Sequence, residues 1–327
     1  MICTGSAPHQ PADIPFDDID IDDSDTILMV DRLPKTLVVI GGGVIGCEYA
    51  SIFAALGVEV TLVEPRDRLL PFLDLEMGER LKGALSGLGV RMRLGQGYKT
   101  VERRGDQIVT TLVDGTEIAS DKLLFAAGRN GRTRDLGCET VGIQTDKRGY
   151  IKVNENYETN ASGIYAAGDV IGFPALASTS MEQARVAVCH MFGIEYKQHV
   201  SELLPYGIYT IPEVSCVGLG EETARERGHE VVVGRAFFRD NARAKIIGDR
   251  DGVIKLVFDR SSRKLLGCHI IGDRASELVH VGQTVIILGG TVDTFIEMVF
   301  NYPTLGEAFK YAAYDALGRW NKPPAVE

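Results

Sequence analysis

A chain of 327 residues, 45% hydrophobic, 24% charged and 7% aromatic, has the composition of a globular protein with two or three domains. Its formal net charge of -10 argues against nucleic acid and anionic membrane as partners, because both select a basic face. No apolar run approaches the ~20 residues of a membrane span and the N-terminus lacks the charged-then-apolar order of a signal peptide, so the expected compartment is the cytoplasm.

Residues 1–12 begin abruptly, as though inside a fold, and residues 13–25 carry Asp13, Asp17, Asp18, Asp20, Asp22, Asp23 and Asp25. Their spacing departs from the D-x-[DN]-x-[DN]-G-x5-E of a calcium loop, so a solvated acidic connector is expected and no metal.

Residues 36–64 read as one βαβ unit. Thr36 to Ile40 is a short apolar run with Pro34 before it and glycines after it, the form of a buried parallel strand. Val44, Ile45, Ile52, Phe53 and Leu56 recur at helical spacing, Gly57 ends the helix, and Val58 to Glu64 returns as a second strand. Between them Gly41, Gly42, Gly43 and Gly46 form a G-x-G-x-x-G turn. Gly41 allows the sharp turn, Gly43 a close backbone approach by a pyrophosphate, and Gly46 close packing of helix on strand. The helix N-terminus then offers free N–H groups and a positive dipole end to the phosphates. Glu64 is placed to accept hydrogen bonds from an adenosine ribose, which favours NAD over NADP. Arg66 and Arg68 follow at once; each is either a solvated loop residue or an acceptor site for a 2'-phosphate.

Asp74 opens a helix expected to run to about Leu88, followed by a strand at 90–94. Residues 98–119 read as an antiparallel meander turning at Gly105 and Gly115, and 122–128 as a return to the parallel sheet. Ligands in such folds sit beyond the carboxyl ends of the strands, which puts Gly128 and Arg129 at the border of the nucleotide site. A strand at 164–167 leads to Gly168-Asp169 and a helix at 180–192; on spacing alone Asp169 is a turn residue before it is a hydroxyl acceptor. Strands at 206–211, 214–218, 230–238, 243–247, 252–258 and 264–272, with helices near 220–227, 275–288, 292–298 and 305–318, form an α+β unit. Thr304 and Glu307 fit a capping box, which explains Glu307 structurally before any catalytic role. The six cysteines form no C-x-x-C pair and are expected to be reduced core residues, although Cys47, in the first turn of the nucleotide-site helix, is placed for a lowered pKa.

Several separated stretches together resemble the two-dinucleotide-binding flavoprotein disulfide reductases. They are Thr4 to Pro8, Gly41 to Glu48, Ala127 to Arg129, Ile164 to Asp169, Leu176 to Ser178, Tyr209 to Glu213, Ser215 to Gly218 and Tyr302 to Glu307. Val44 to Phe53, Arg66 to Asp74 and Phe300 to Thr304 look most like the transhydrogenase branch of that family. The resemblance implies an α/β protein. Residues 1–30 would be a remnant of an FAD domain with an acidic connector, 31–150 a Rossmann-like NAD(P) domain, 151–200 the C-terminal part of the FAD domain, and 201–327 an α+β dimerisation domain, in a homodimer. It also implies that Gly41, Gly43, Gly46, Glu64 and Gly128 hold the nicotinamide dinucleotide, with Glu48 near the reacting ring. Asp169 would hold the flavin's ribityl chain, and Ala177 would lie near its ring system.

Two departures shape the expected function. Where the disulfide reductases of the family carry a histidine paired with the later glutamate, this chain has Tyr302, and a phenol of pKa ~10 is poorly matched to proton exchange with thiols near neutral pH. The chain also has one G-x-G-x-x-G, whereas the family begins with another for the ADP half of FAD. A segment of ~100 to 200 residues is therefore expected to be missing at the N-terminus, and FAD to bind weakly. The expectation is an enzyme passing hydride from NADPH through FAD to NAD+. No acid-base residue is assigned, with Glu48, Tyr302 and Glu307 the candidates. The alternatives are a dihydrolipoamide dehydrogenase-like flavoprotein and a non-catalytic NAD-binding, dimerising module.

Overall fold

The computed structural model describes residues 1–320; residues 321–327 of the expected C-terminal domain lie outside the described residues. The chain divides into two compact units, the first made of residues 1–32 and 124–202, the second of residues 33–123 and 203 onward. The βαβ segment and the C-terminal α+β segment therefore share one unit. Among the described residues no helix is long and apolar enough to cross a membrane.

The first unit opens with the short strands Ser6–Pro8 (β1) and Ile21–Asp23 (β2). In the acidic run around β2, Asp13, Asp17, Asp18 and Asp25 are exposed, whereas Asp22 and Asp23 are buried, and two of its carboxylates cap its own backbone. Asp17 Oδ1 accepts the N–H groups of Ile19, Asp20 and Ile21, and Asp23 Oδ1 those of Asp25 and Thr26.

The second unit begins with Thr36–Ile40 (β3), Val44–Ala55 (α1), Glu59–Glu64 (β4), Leu75–Gly87 (α2) and Arg91–Leu94 (β5). β3, β4 and β5 pair in parallel, with Val39 opposite Leu62 and Leu62 opposite Met92. Val39, Leu62 and Val63 are fully buried, as strands covered on both faces require. The Asp74 carboxylate starts α2 by accepting the N–H groups of Glu76 and Met77. Tyr98–Arg104 (β6), Gln107–Leu112 (β7) and Glu117–Ser120 (β8) form the meander, and Lys122–Phe125 (β9) carries the chain into the first unit. There Arg129–Gly131 (β10) pairs antiparallel with β1, and Ala177–Phe192 forms α3. Residues 164–167 contribute isolated bridges, Glu158 with Tyr165 and Ile2 with Ala166, instead of a strand.

Back in the second unit, Tyr206–Ile208 (β11), Val214–Gly218 (β12), Glu221–Glu226 (α4), Val231–Phe237 (β13), Ala242–Ile247 (α5), Val253–Asp259 (β14) and Leu265–Ile271 (β15) follow. Their antiparallel sheet has the order β11-β12-β15-β14-β13. Ala275–Ile287 (α6), Val292–Glu297 (α7) and Ala308–Trp320 (α8) cover it. Phe258, Phe295 and Phe309 fill the layer between, with the rings of Phe295 and Phe309 stacked at 5.6 Å. A Cβ on Gly234 would stand 1.9 Å from the carbonyl oxygen of Ala312, so α8 lies directly on β13.

Residues 243–247 are helical, not the expected strand. Asn241 Oδ1 accepts the Ala244 N–H at the start of α5, and Gly248 ends it at φ 84.

Candidate functional site

The glycine turn joins β3 to α1. Gly41 has φ 113, which a side chain would resist. A Cβ on Gly46 would sit 1.8 Å from the Gly41 carbonyl oxygen, so only glycine lets α1 pack against the turn. A Cβ on Gly42 would meet Leu69 at 2.8 Å and the Glu64 side chain at 3.0 Å, whereas one on Gly43 would meet nothing within 4 Å. The three positions of the motif thus divide into a turn, an open approach at Gly43 and a close packing contact. Cys47, one turn into α1, does not have a lowered pKa. Burial first, then Glu64, pushes its thiol up to about 12.

Glu64 ends β4 with a carboxylate withdrawn from solvent. Its Oε2 accepts the Gly42 N–H at 2.6 Å and Arg66 Nη2 at 3.1 Å, and its Oε1 accepts Arg66 Nε at 2.6 Å and the Arg66 N–H at 3.0 Å. Burial raises its pKa, but the Arg66 side chain and the two backbone N–H groups outweigh that and leave it below the ordinary value. Four donors occupy a carboxylate with about four acceptor positions, so any further donor must displace one. The Arg66 side chain, half exposed, is the one donor free to move. Arg68 turns away from this clasp and gives Nη2 to the carbonyl oxygens of Pro71 and Leu73.

Glu48 projects from α1, and its Oε1 accepts the Tyr209 N–H at 2.9 Å. Burial, opposed by that N–H, leaves its pKa raised. Three residues along, Ser51 Oγ accepts the Ile211 N–H at 3.2 Å. The segment after β11 is thus pinned to the face of the helix that starts at the glycine turn, a relation between distant stretches that sequence reasoning missed. Tyr302 is exposed, and among the described residues no hydrogen bond joins it to Glu307. Thr304 Oγ1 accepts the Glu307 N–H at 3.3 Å, while the Glu307 carboxylate meets the Tyr311 hydroxyl at 3.4 Å instead of returning to the cap.

The first unit holds Gly128, Asp169 and Ala177. Gly128 follows β9 at φ 114, and Ala177 is the first residue of α3. Asp169 Oδ2 accepts the Ser6 hydroxyl at 3.0 Å, and Ser6 Oγ in turn accepts Arg129 Nε at 2.7 Å. Ser6 on β1 and Arg129 on the paired strand β10 therefore set the Asp169 carboxylate, and its Oδ1 keeps acceptor capacity for an outside hydroxyl. That geometry fits a polyol chain such as the ribityl of FAD.

Residues 1–189 match the family model described as pyridine nucleotide-disulphide oxidoreductase, and residues 204–313 match the dimerisation domain of the same family. The chain belongs to the pyridine nucleotide-disulphide oxidoreductase family. It is 45% identical over 322 residues to the soluble pyridine nucleotide transhydrogenase of Pseudomonas savastanoi pv. phaseolicola, covering 98% of this chain and 69% of that protein. The Mycobacterium bovis transhydrogenase of the same name is 46% identical over 319 residues, covering 98% and 68%. Among solved structures, LpdA from Mycobacterium tuberculosis superposes with a TM-score of 0.88 at 30% identity, over 95% of this chain and 68% of that one. The HOCl-induced flavoprotein disulfide reductase RclA from Escherichia coli gives 0.89 at 28%, over 95% and 72%. The family's members are FAD-dependent oxidoreductases of pyridine nucleotides, and this chain is one of them, with FAD and NAD(P) as its cofactors.

Proposed function

We propose that the chain acts in transhydrogenation, in which hydride passes from NADPH by way of FAD to NAD+, and that one nucleotide site accepts both dinucleotides in turn. The Glu64–Arg66 clasp carries this reading. An incoming adenosine ribose displaces the guanidinium and gives its hydroxyl hydrogens to the Glu64 carboxylate. An incoming 2'-phosphate instead draws Arg66 outward into a charge-assisted pair. A site built for one cofactor has no use for both groups on one hinge, whereas a site that alternates uses each in turn.

The remaining residues have roles that follow from their placement. Gly43 and the N-terminus of α1 would cradle the pyrophosphate through backbone N–H groups, Gly41 and Gly42 shape the turn with their N–H groups held by the Val63 carbonyl oxygen and Glu64, and Gly46 holds the helix close enough to do so. Glu48, its carboxylate anchored to the Tyr209 N–H, orients the nicotinamide end. Asp169 would hold a ribityl hydroxyl of FAD, and Ala177, the first residue of α3, would lie near its ring system. FAD, when bound, supplies the carrier of two electrons and a proton; the protein supplies position and electrostatics. Tyr302, where a thiol-handling site needs a base near neutral pH, supports hydride transfer without disulfide chemistry. The dimerisation domain supports a homodimer.

The test is an assay of the purified chain after incubation with FAD, with NADPH as donor and thio-NAD+ or lipoamide as acceptor. Reduction of thio-NAD+ with no reduction of lipoamide is the expected result. Preferential reduction of lipoamide would favour the dihydrolipoamide dehydrogenase reading. Nucleotide binding with neither turnover would favour a non-catalytic, dimerising module.

A further inference from the structure

In the second unit β13 and α2 meet through long side chains. Arg235 and Phe237, two apart on the strand and so on one face, meet Glu76 and Arg80, four apart on the helix. Arg235 Nη2 lies 2.7 Å from the Glu76 carboxylate, and the Arg80 guanidinium sits 5.2 Å from the centre of the Phe237 ring. The same helix face continues through Gly83 and Gly87, where a Cβ would meet nothing within 4 Å. The helix stops filling the gap there, and a cavity of about 510 Å³ opens, with Phe237, Pro212 and Ile271 as its apolar wall.

Two more guanidinium groups border this cavity. Arg239 sits 4.5 Å from the same Phe237 ring, and its nearest carboxylate, Asp240, is 3.9 Å away, beyond hydrogen-bond distance. Arg250, in the loop after α5, has no ion pair or hydrogen bond among the described residues. Asp251 is the single carboxylate among the lining residues, and Arg80 is paired with Glu76 at 3.0 Å, a carboxylate it shares with Arg235 and Lys255. Arg239 and Arg250 thus face one cavity with a single carboxylate between them. A planar guanidinium fork matches phosphate oxygens, and the ring and aliphatic wall match an apolar body.

We propose that this cavity is a second ligand site of the chain, separate from the glycine turn, and that it takes a small organophosphate whose phosphate lies between Arg239 and Arg250 and whose apolar part rests on Phe237, Pro212 and Ile271. Pro212 follows Ile211, whose N–H is held by Ser51 of α1, so the wall of this site is continuous with the segment that anchors Glu48.

Phenyl phosphate, titrated by calorimetry into the chain saturated with NADH, tests this assignment. The expected result is saturable binding at least tenfold tighter than that of inorganic phosphate. Arg239→Gln and Arg250→Gln should each weaken it about tenfold while the NADH Kd stays constant. Gly83→Leu, which fills the open space and improves helix propensity, should abolish phenyl phosphate binding with the melting temperature equal or higher. Absence of saturable binding, or binding that neither arginine variant nor Gly83→Leu alters, would overturn the assignment. Because the variants separate this cavity from the glycine turn, the outcome is independent of which dinucleotides the turn accepts.

Discussion

Lys255 Nζ lies 2.9 Å from both carboxylate oxygens of Asp74, a pair 181 residues apart in sequence with side chains 1% and 0% exposed. Glu221 at 3.0 Å and Glu76 at 3.3 Å complete a cage around the ammonium. Asp74 also caps α2 and accepts the Glu221 N–H at 3.0 Å, so one carboxylate ties the nucleotide-binding segment to the C-terminal sheet.

Lys255→Met should destabilise the second unit by roughly 3 to 5 kcal/mol, because it leaves buried carboxylates without their cation. Equilibrium urea unfolding measures it. A change below ~1 kcal/mol would mean that solvent reaches the cage and screens it.

Glu76 contributes to the acid limb of stability. Burial raises its pKa, but the Arg235 and Arg80 guanidinium groups and Lys255 bring it from 4.5 down to about 2. A folded value below the unfolded one gives stability that is present above about 4.5 and lost as pH falls through about 2. Urea midpoints measured across that window should fall more steeply for the wild type than for Glu76→Gln; equal slopes would contradict the assignment.

The glycine turn separates folding from binding. Gly46→Ala forces a Cβ to within 1.8 Å of the Gly41 carbonyl oxygen and should lower the melting temperature together with NADH affinity. Gly43→Ala enters open space at φ -77, so stability should hold within about 1 kcal/mol. Its methyl group should nevertheless raise the NADH Kd at least tenfold by standing where the pyrophosphate approaches. Thermal melts and NADH fluorescence titration on the pair distinguish the two effects.

Cys3 is the one exposed cysteine. Cys47 and Cys216, buried and with thiols pushed up to about 12, should resist iodoacetamide at pH 8 in the folded protein. Mass spectrometry after brief labelling should find a single modified residue, Cys3; labelling at Cys47 would show that α1 opens.

What was legible in the sequence was local. Thr36 to Glu64 announces its strand, turn, helix and strand because glycine placement and apolar runs act over a few residues, and the Asp74 cap acts over three. Ile246 and Ile247 suggested a strand, yet both lie outward on α5, where Asn241 and Gly248 outweigh β propensity. Asp13, Asp17, Asp18 and Asp25 are exposed, as the composition suggests, but composition does not reveal that Asp17 and Asp23 accept backbone N–H groups of their own segment or that Asp22 and Asp23 are buried. Lys255 is a charged position within the apolar run of Val253 to Phe258, and nothing nearby in the chain names Asp74 as its partner. The Glu64–Arg66 clasp was half legible: both residues stood out, but their mutual saturation depends on the side-chain geometry at the end of β4.

The most direct test of the alternating site is a competition titration. NADH bound to the chain, followed by its fluorescence, is displaced with NADPH in wild type and in Arg66→Gln. One shared site requires simple competition, with Arg66→Gln weakening NADPH about tenfold and leaving NADH unchanged or tighter as Glu64 is released. NADPH that fails to displace NADH, or an Arg66→Gln variant in which both affinities fall equally, would contradict a single site that serves both dinucleotides.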